Sequence, residues 1–130
     1  MDASAFVEYL LRTPLAGSFG DHLEDPDANL HVPALCDVEV VAAMRRILIQ
    51  RQIGDDRAAQ VLIDYVDLPI IRHGHLGLLS RMVELKDNFT AYDATYVALA
   101  EVMTAELITG DDGLAQAARE QSSLTVHAPH

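Results

Sequence analysis

Short apolar runs alternate along this chain with longer stretches in which apolar side chains recur every three or four positions. Residues 4–11, SAFVEYLL, fit a short amphipathic helix that stops before Pro14, and residues 15–23 fit a second. The run from Glu24 to Asn29 is a turn, and 30–32 is a short strand ended by Pro33. A long helix follows over 34–52; Gly54 breaks it, and Asp55 or Asp56 caps another that runs to Val66. Residues 68–71 are a strand, 76–86 a helix, and Asp87-Asn88 a turn. The helix over 90–104 has the clearest apolar stripe, formed by Tyr92, Tyr96, Val97, Leu99, Ala100 and Met103. Residues 105–109 predict a strand, 111–120 a helix and 124–126 a last strand. Short apolar strands alternating with helices of this length predict an α/β fold, a parallel sheet covered by helices on both faces. In such sheets ligands bind beyond the carboxyl ends of the strands.

Composition narrows the class. The 130 residues make one domain, 1–130, and a hydrophobic share of 50% excludes a disordered chain. No apolar run reaches the length of a membrane span and no basic-then-apolar leader opens the chain, so a cytoplasmic location and no membrane partner are expected. The single cysteine, Cys36, excludes internal disulfides and cysteine-rich zinc sites, and its place in the apolar run PALC makes it a core residue. A net charge of -11 argues against a protein that coats nucleic acid with a basic face. It still permits an enzyme that works on nucleic acid through divalent cations, or a protein that pairs with a basic partner.

Four acids fall at or near the strand-end edge. Asp2 precedes the first helix, Glu39 is about one turn into the long one, Asp93 sits on a helix first turn, and Asp111 follows the strand ending in Thr109. Taken singly, each has a structural explanation. Asp2 and Asp111 are good N-caps, Thr90 and Asp93 have capping-box spacing, and Glu39 suits a solvated helix face. Capping does not explain why acids recur at one edge, nor why Glu39 is flanked by Val38, Val40 and Val41. Converging carboxylates repel unless a divalent cation neutralises them, and hard oxygen ligands suit Mg²⁺ or Mn²⁺. Such a site supports phosphodiester hydrolysis by an activated water. No P-loop, dinucleotide glycine fingerprint or serine-nucleophile elbow is present.

Asp2-Ala3-Ser4, HVPALCDVEVVAAMRR from His31 to Arg46, FTAYDATYVALAE from Phe89 to Glu101, and LITGDDGLA from Leu107 to Ala115 together resemble the PIN-domain toxins of VapBC toxin–antitoxin pairs. The resemblance runs in order through nearly the whole chain. It implies a metal-dependent ribonuclease of PIN-like, Rossmann-like fold with a five-stranded parallel sheet, a VapB-type antitoxin partner, an RNA substrate and a homodimer. It also implies that Asp2 and Asp93 are metal ligands, completed by Glu39 and Asp111 directly or through water. Thr109-x-Asp111 selects Asp111 over Asp112. Several apolar residues usually precede the first aspartate in that family, where this sequence has only Met1, so the expectation is a first strand shortened here and a natural start upstream.

Three further features compete for attention. His73-Gly-His75 follows a strand with a spacing that fits no helix face, so a turn or substrate-rim position is expected. Arg45-Arg46 suits either a phosphate or acidic-partner contact or a solvated helix end. Phe6, Val7, Leu10 and Leu11 form an apolar face expected to bury on the sheet, part of it serving a dimer or antitoxin groove by the same resemblance. Two rivals stand beside the nuclease: a PIN-like binding module without catalysis, and a phospho-accepting receiver domain. The receiver needs a lysine near a late strand end, and Lys86, the only lysine, precedes the Asp93 helix instead.

Overall fold

The computed structural model describes residues 1–129, and the terminal His130, expected in an uninformative tail with His127, lies outside the described residues. Strand β1 (Leu30–Pro33) pairs in parallel with β2 (Ile70–His73), in the register Leu30 to Ile70 through Pro33 to His73. Strand β3 (Leu107–Ile108) pairs in parallel with β4 (Val126–His127). Parallel pairing is as expected. Among the described residues the strands number four, in two separate ladders. The residues at the front contribute a single ladder-like bond, from the Asp2 amide to the Ile108 carbonyl at 2.9 Å. A small cavity of about 60 Å³ lies between the ladders, lined by Met1, Leu30, His31, Tyr96, Leu107 and Ile108 among others.

Seven α-helices surround these strands among the described residues: α1 (Ala3–Leu10), α2 (Ala16–Leu23), α3 (Leu35–Ile49), α4 (Asp55–Asp67), α5 (Leu79–Glu84), α6 (Ala91–Met103) and α7 (Asp112–Gln121). Two sequence expectations shift for identifiable reasons. β2 begins two residues late because Leu68 is the extended C-cap of α4 and Pro69 has no amide to donate. The expected helix over 76–86 splits into a 3₁₀ turn, Leu76–Leu78, and the short α5. Thr104 ends α6 in the left-handed region at φ 49°, which delays β3 to Leu107.

The core explains why α6 is central. Every residue from Ala94 to Ala100 is buried, so this helix is enclosed on nearly all sides rather than along one stripe. Tyr92, expected in that stripe, is 61% exposed and belongs to the surface. Helix α1 buries Phe6, Val7 and Leu10 against α2, α3 and α4 rather than on the sheet, so that face is no open groove here. Cys36 is fully buried, as expected.

The histidine motif is resolved differently from a simple turn. His73 is the last residue of β2, and its Nε2 lies 2.8 Å from Nδ1 of His31 on β1. His75 Nε2 accepts from the Leu35 amide at 3.1 Å, which supplies the cap that Ala34 cannot give α3. Both histidines are therefore structural.

Candidate active site

Asp2 is the N-cap of α1 and is 6% exposed. Its Oδ1 accepts from Ser4 Oγ at 2.6 Å and from the Ala5 amide at 3.1 Å, and its Oδ2 accepts from Thr109 Oγ1 at 2.6 Å. The Asp-x-Ser spacing brings the serine hydroxyl back over the cap. The same Ser4 Oγ accepts from the Gly110 amide at 2.9 Å, and Thr109 Oγ1 accepts from the Asp111 amide at 2.9 Å. Gly110 allows this closeness, since a β-carbon there would meet Ser4 Oγ at 3.3 Å. One hydrogen-bonded knot thus ties the start of α1 to the entry of α7.

Burial pushes the Asp2 carboxyl above the usual range, opposed by the hydrogen bonds from Ser4, Thr109 and Ala5. Glu39, half-buried on α3, is also raised by burial; the Tyr96 hydroxyl lowers it and the Asp2 charge raises it. Asp93 is pushed up to about 6, first by burial and then by the charges of Asp111, Asp2 and Glu39. Thr90 Oγ1 accepts from the Asp93 amide at 3.1 Å, so the cap expected from the sequence is present. Asp111 caps α7, with Oδ1 accepting from the Leu114 amide at 3.0 Å, and is exposed. Asp112 is the first residue of the helix itself.

The charges of Asp111, Asp2 and Glu39 all act on Asp93, so the four predicted acids lie near one another, from buried Asp2 through half-buried Glu39 and Asp93 to exposed Asp111. Asp37, the other acid early in α3, is occupied elsewhere by Arg72 at 2.9 Å and the Tyr65 hydroxyl at 2.7 Å. Among the described residues no three His, Cys, Asp or Glu side chains close tightly enough on one point to enclose an ion. An ion here would take one or two carboxylates directly and keep water on its remaining positions, the habit of Mg²⁺ rather than of a fully enclosed cation. Sequence reasoning left out Ser4, although the Asp-x-Ser spacing at a helix start was the available signal. Thr109 serves more than its motif, because it holds both Asp2 and the entry to α7.

Thr109→Val tests the knot. The threonine is fully buried, so the isosteric valine leaves the Asp111 amide and one Asp2 oxygen without their partner. Differential scanning calorimetry should show Tm lower by roughly 5–10 °C, equivalent to about 2 kcal/mol. An unchanged Tm would show that the hydroxyl contributes nothing to stability.

Comparisons with known proteins identify the family. The PIN domain profile matches residues 1–120. Ribonuclease VapC12 of Mycobacterium tuberculosis is 36% identical over 116 residues, covering 89% of this chain and 88% of that protein. Ribonuclease VapC3 of the same organism is 34% identical over 130 aligned residues, covering 90% and 85%. VapC ribonuclease Mb0985 of Mycobacterium bovis is 36% identical over 98 residues, covering 75% and 77%. The crystal structure of PAE2754 from Pyrobaculum aerophilum matches with a TM-score of 0.68 over 96% of this chain and 79% of that one, at 20% identity, a likeness of fold alone. The chain belongs to the PIN-domain family and, within it, groups with the VapC ribonucleases.

Proposed function

We propose that the protein is the toxin of a type II toxin–antitoxin pair, an endoribonuclease that hydrolyses RNA phosphodiester bonds with Mg²⁺ or Mn²⁺ held among Asp2, Asp93, Glu39 and Asp111. The observation that supports this most directly is the Asp93 carboxyl, raised to about 6 by burial and by the three other acids together. A group that three neighbours discourage from ionising is poised for a cation. When bound, the ion would activate water and offset the charge that develops on the phosphate.

Each side chain has its own task in this scheme. Asp2, fixed through both oxygens by Ser4, Ala5 and Thr109, retains one lone-pair site, on Oδ2, and a set direction for a cation. Asp93 and Glu39 meet it from α6 and α3. Asp111 uses one oxygen for its cap and leaves the other at the mouth, where an RNA phosphate and its water would enter. The protein's net charge of -11 would repel RNA without a cation in this crevice.

The partners follow from the same scheme: a VapB-type antitoxin, a cytoplasmic setting and a homodimer. No helix among the described residues is long and apolar enough to cross a membrane. Exposed Val38, Val41 and Ile49 along α3, and Leu76, Leu79 and Val83 around α5, offer apolar surface of the kind that partners cover. Light scattering at micromolar concentration is expected to give about twice the 14.2 kDa chain mass; a monomer would remove the homodimer.

Catalysis is tested by incubating the purified protein with structured RNA and Mg²⁺ or Mn²⁺. Cleavage is expected with either ion and should disappear in EDTA, returning when Mn²⁺ is added in excess. Cleavage indifferent to EDTA would sink the metal assignment. No cleavage of any RNA, with no toxicity on expression, would favour the PIN-like binding module.

A further inference from the structure

Tyr96 presents an unexplained polar group beside the crevice. It lies on α6 three residues after Asp93, so the two share a helix face. The side chain is 4% exposed, and its hydroxyl makes no hydrogen bond of regular geometry among the described residues. A buried hydroxyl without a partner costs about 1–3 kcal/mol, and phenylalanine would fill the same space without that cost. The polar side chains whose electrostatics bear on it are the Glu39 carboxylate and the Cys36 thiol, one turn apart on α3. A phenol is a neutral donor at pH 7. Of the two neighbours, an ionised carboxylate is the far stronger acceptor.

We infer that Tyr96 is the positioning residue for Glu39: with a cation in the crevice, its hydroxyl donates to one Glu39 oxygen and turns the other toward the ion or its water. This rests on the metal-dependent function proposed above. With a cation held among the acids, Glu39 would stay charged and be the stronger acceptor for this hydroxyl. Tyr96 touches neither substrate nor ion. It acts through Glu39, as outer partners of metal ligands generally do.

The test is Tyr96→Phe in the full chain, read by Mn²⁺ binding from the free-ion EPR signal, by RNA cleavage and by Tm in EDTA. The metal-free Tm is expected to stay level or rise, since an unpartnered hydroxyl is removed. The Kd for Mn²⁺ should weaken about 10-fold, and kcat should fall by a similar factor with KM for RNA unchanged. In a Glu39→Gln background, adding Tyr96→Phe should change Mn²⁺ affinity no further. Equal Mn²⁺ affinity for Tyr96→Phe and the parent would overturn the inference while leaving the nuclease intact. So would a loss that persists undiminished in the Glu39→Gln background, or a marked fall in metal-free Tm, which would place the hydroxyl's bond at Cys36. A parent protein that binds no Mn²⁺ would instead sink the metal site, and the positioning role with it.

Discussion

Asp93→Asn is expected to yield a folded protein whose kcat for RNA falls by at least about 100-fold, the scale for losing one preorganised charge at a hydrolytic centre. It should also be more stable than the parent at pH 7 in EDTA. The sign follows from the pKa. A folded-state value of about 6 against an ordinary 3.8 means that the folded protein holds the Asp93 proton more tightly than the unfolded chain does. The stabilisation from that proton is fully present below 3.8 and is lost as pH rises through about 6, so at pH 7 the charged carboxylate is a net cost. A gap of this size is worth about 3 kcal/mol for a fully desolvated group. Asp93 is only half-buried, and solvent screening leaves about 1–1.5 kcal/mol. The Tm advantage of Asp93→Asn should therefore shrink by about half between pH 7 and pH 5. Saturating Mn²⁺ should reverse the order, because only the parent gains from binding the ion. A variant less stable than the parent in EDTA at pH 7 would show that Asp93 is satisfied without a cation.

Asp2→Ala should remove both activity and much of the stability. Three donors lose their acceptor at once: the Ser4 hydroxyl, the Ala5 amide and the Thr109 hydroxyl. Loss of a cap costs about 1 kcal/mol and each orphaned buried donor about 1–3 kcal/mol. Removing a carboxylate that burial already disfavours gives part of that back. A net loss of about 2–4 kcal/mol in urea unfolding is expected, with no detectable cleavage. Asp2→Asn is the informative contrast. It keeps an oxygen for the Ala5 amide and the shape of the knot, so it should lose less than half as much stability and still be inactive. Near-parent cleavage by Asp2→Asn would remove Asp2 from the cation site.

Much of this was legible because caps are local. Asp2, Asp93 and Asp111 each sit at a helix start for reasons contained within four residues of sequence, and the alternation of strands and helices places those starts at one edge. Of the valines around Glu39 only Val40 is buried, while Val38 and Val41 face solvent, so they did not mark it. What escaped depends on contacts between distant segments. The His31–His73 pair exists because parallel register sets Pro33 opposite His73, and no spacing within either strand announces it. Tyr92 follows the same helical period as Tyr96, yet one is exposed and the other enclosed, because the first turn of α6 projects past the core. The unpartnered Tyr96 hydroxyl is visible only once α3 and α6 are placed together. Ser4 was hidden by its ordinariness, since a serine two residues after a cap is common and only Gly110, brought from far along the chain, gives it a second partner.

The knot at Asp2 also sets a timetable. Its Oδ2 is bonded to a hydroxyl 107 residues further along the chain, and its amide to the carbonyl of Ile108. Contacts of such separation form late, after the local helices, because the intervening loop entropy must be overcome first. During synthesis they cannot form at all until Thr109 has left the ribosome. A nascent chain can already display Glu39 and Asp93 on their helices while Asp2 hangs unfixed and Asp111 is not yet made. The four acids are therefore brought together only after Thr109 has emerged, so a protein proposed to be harmful to its own cell would lack its complete acidic site until then.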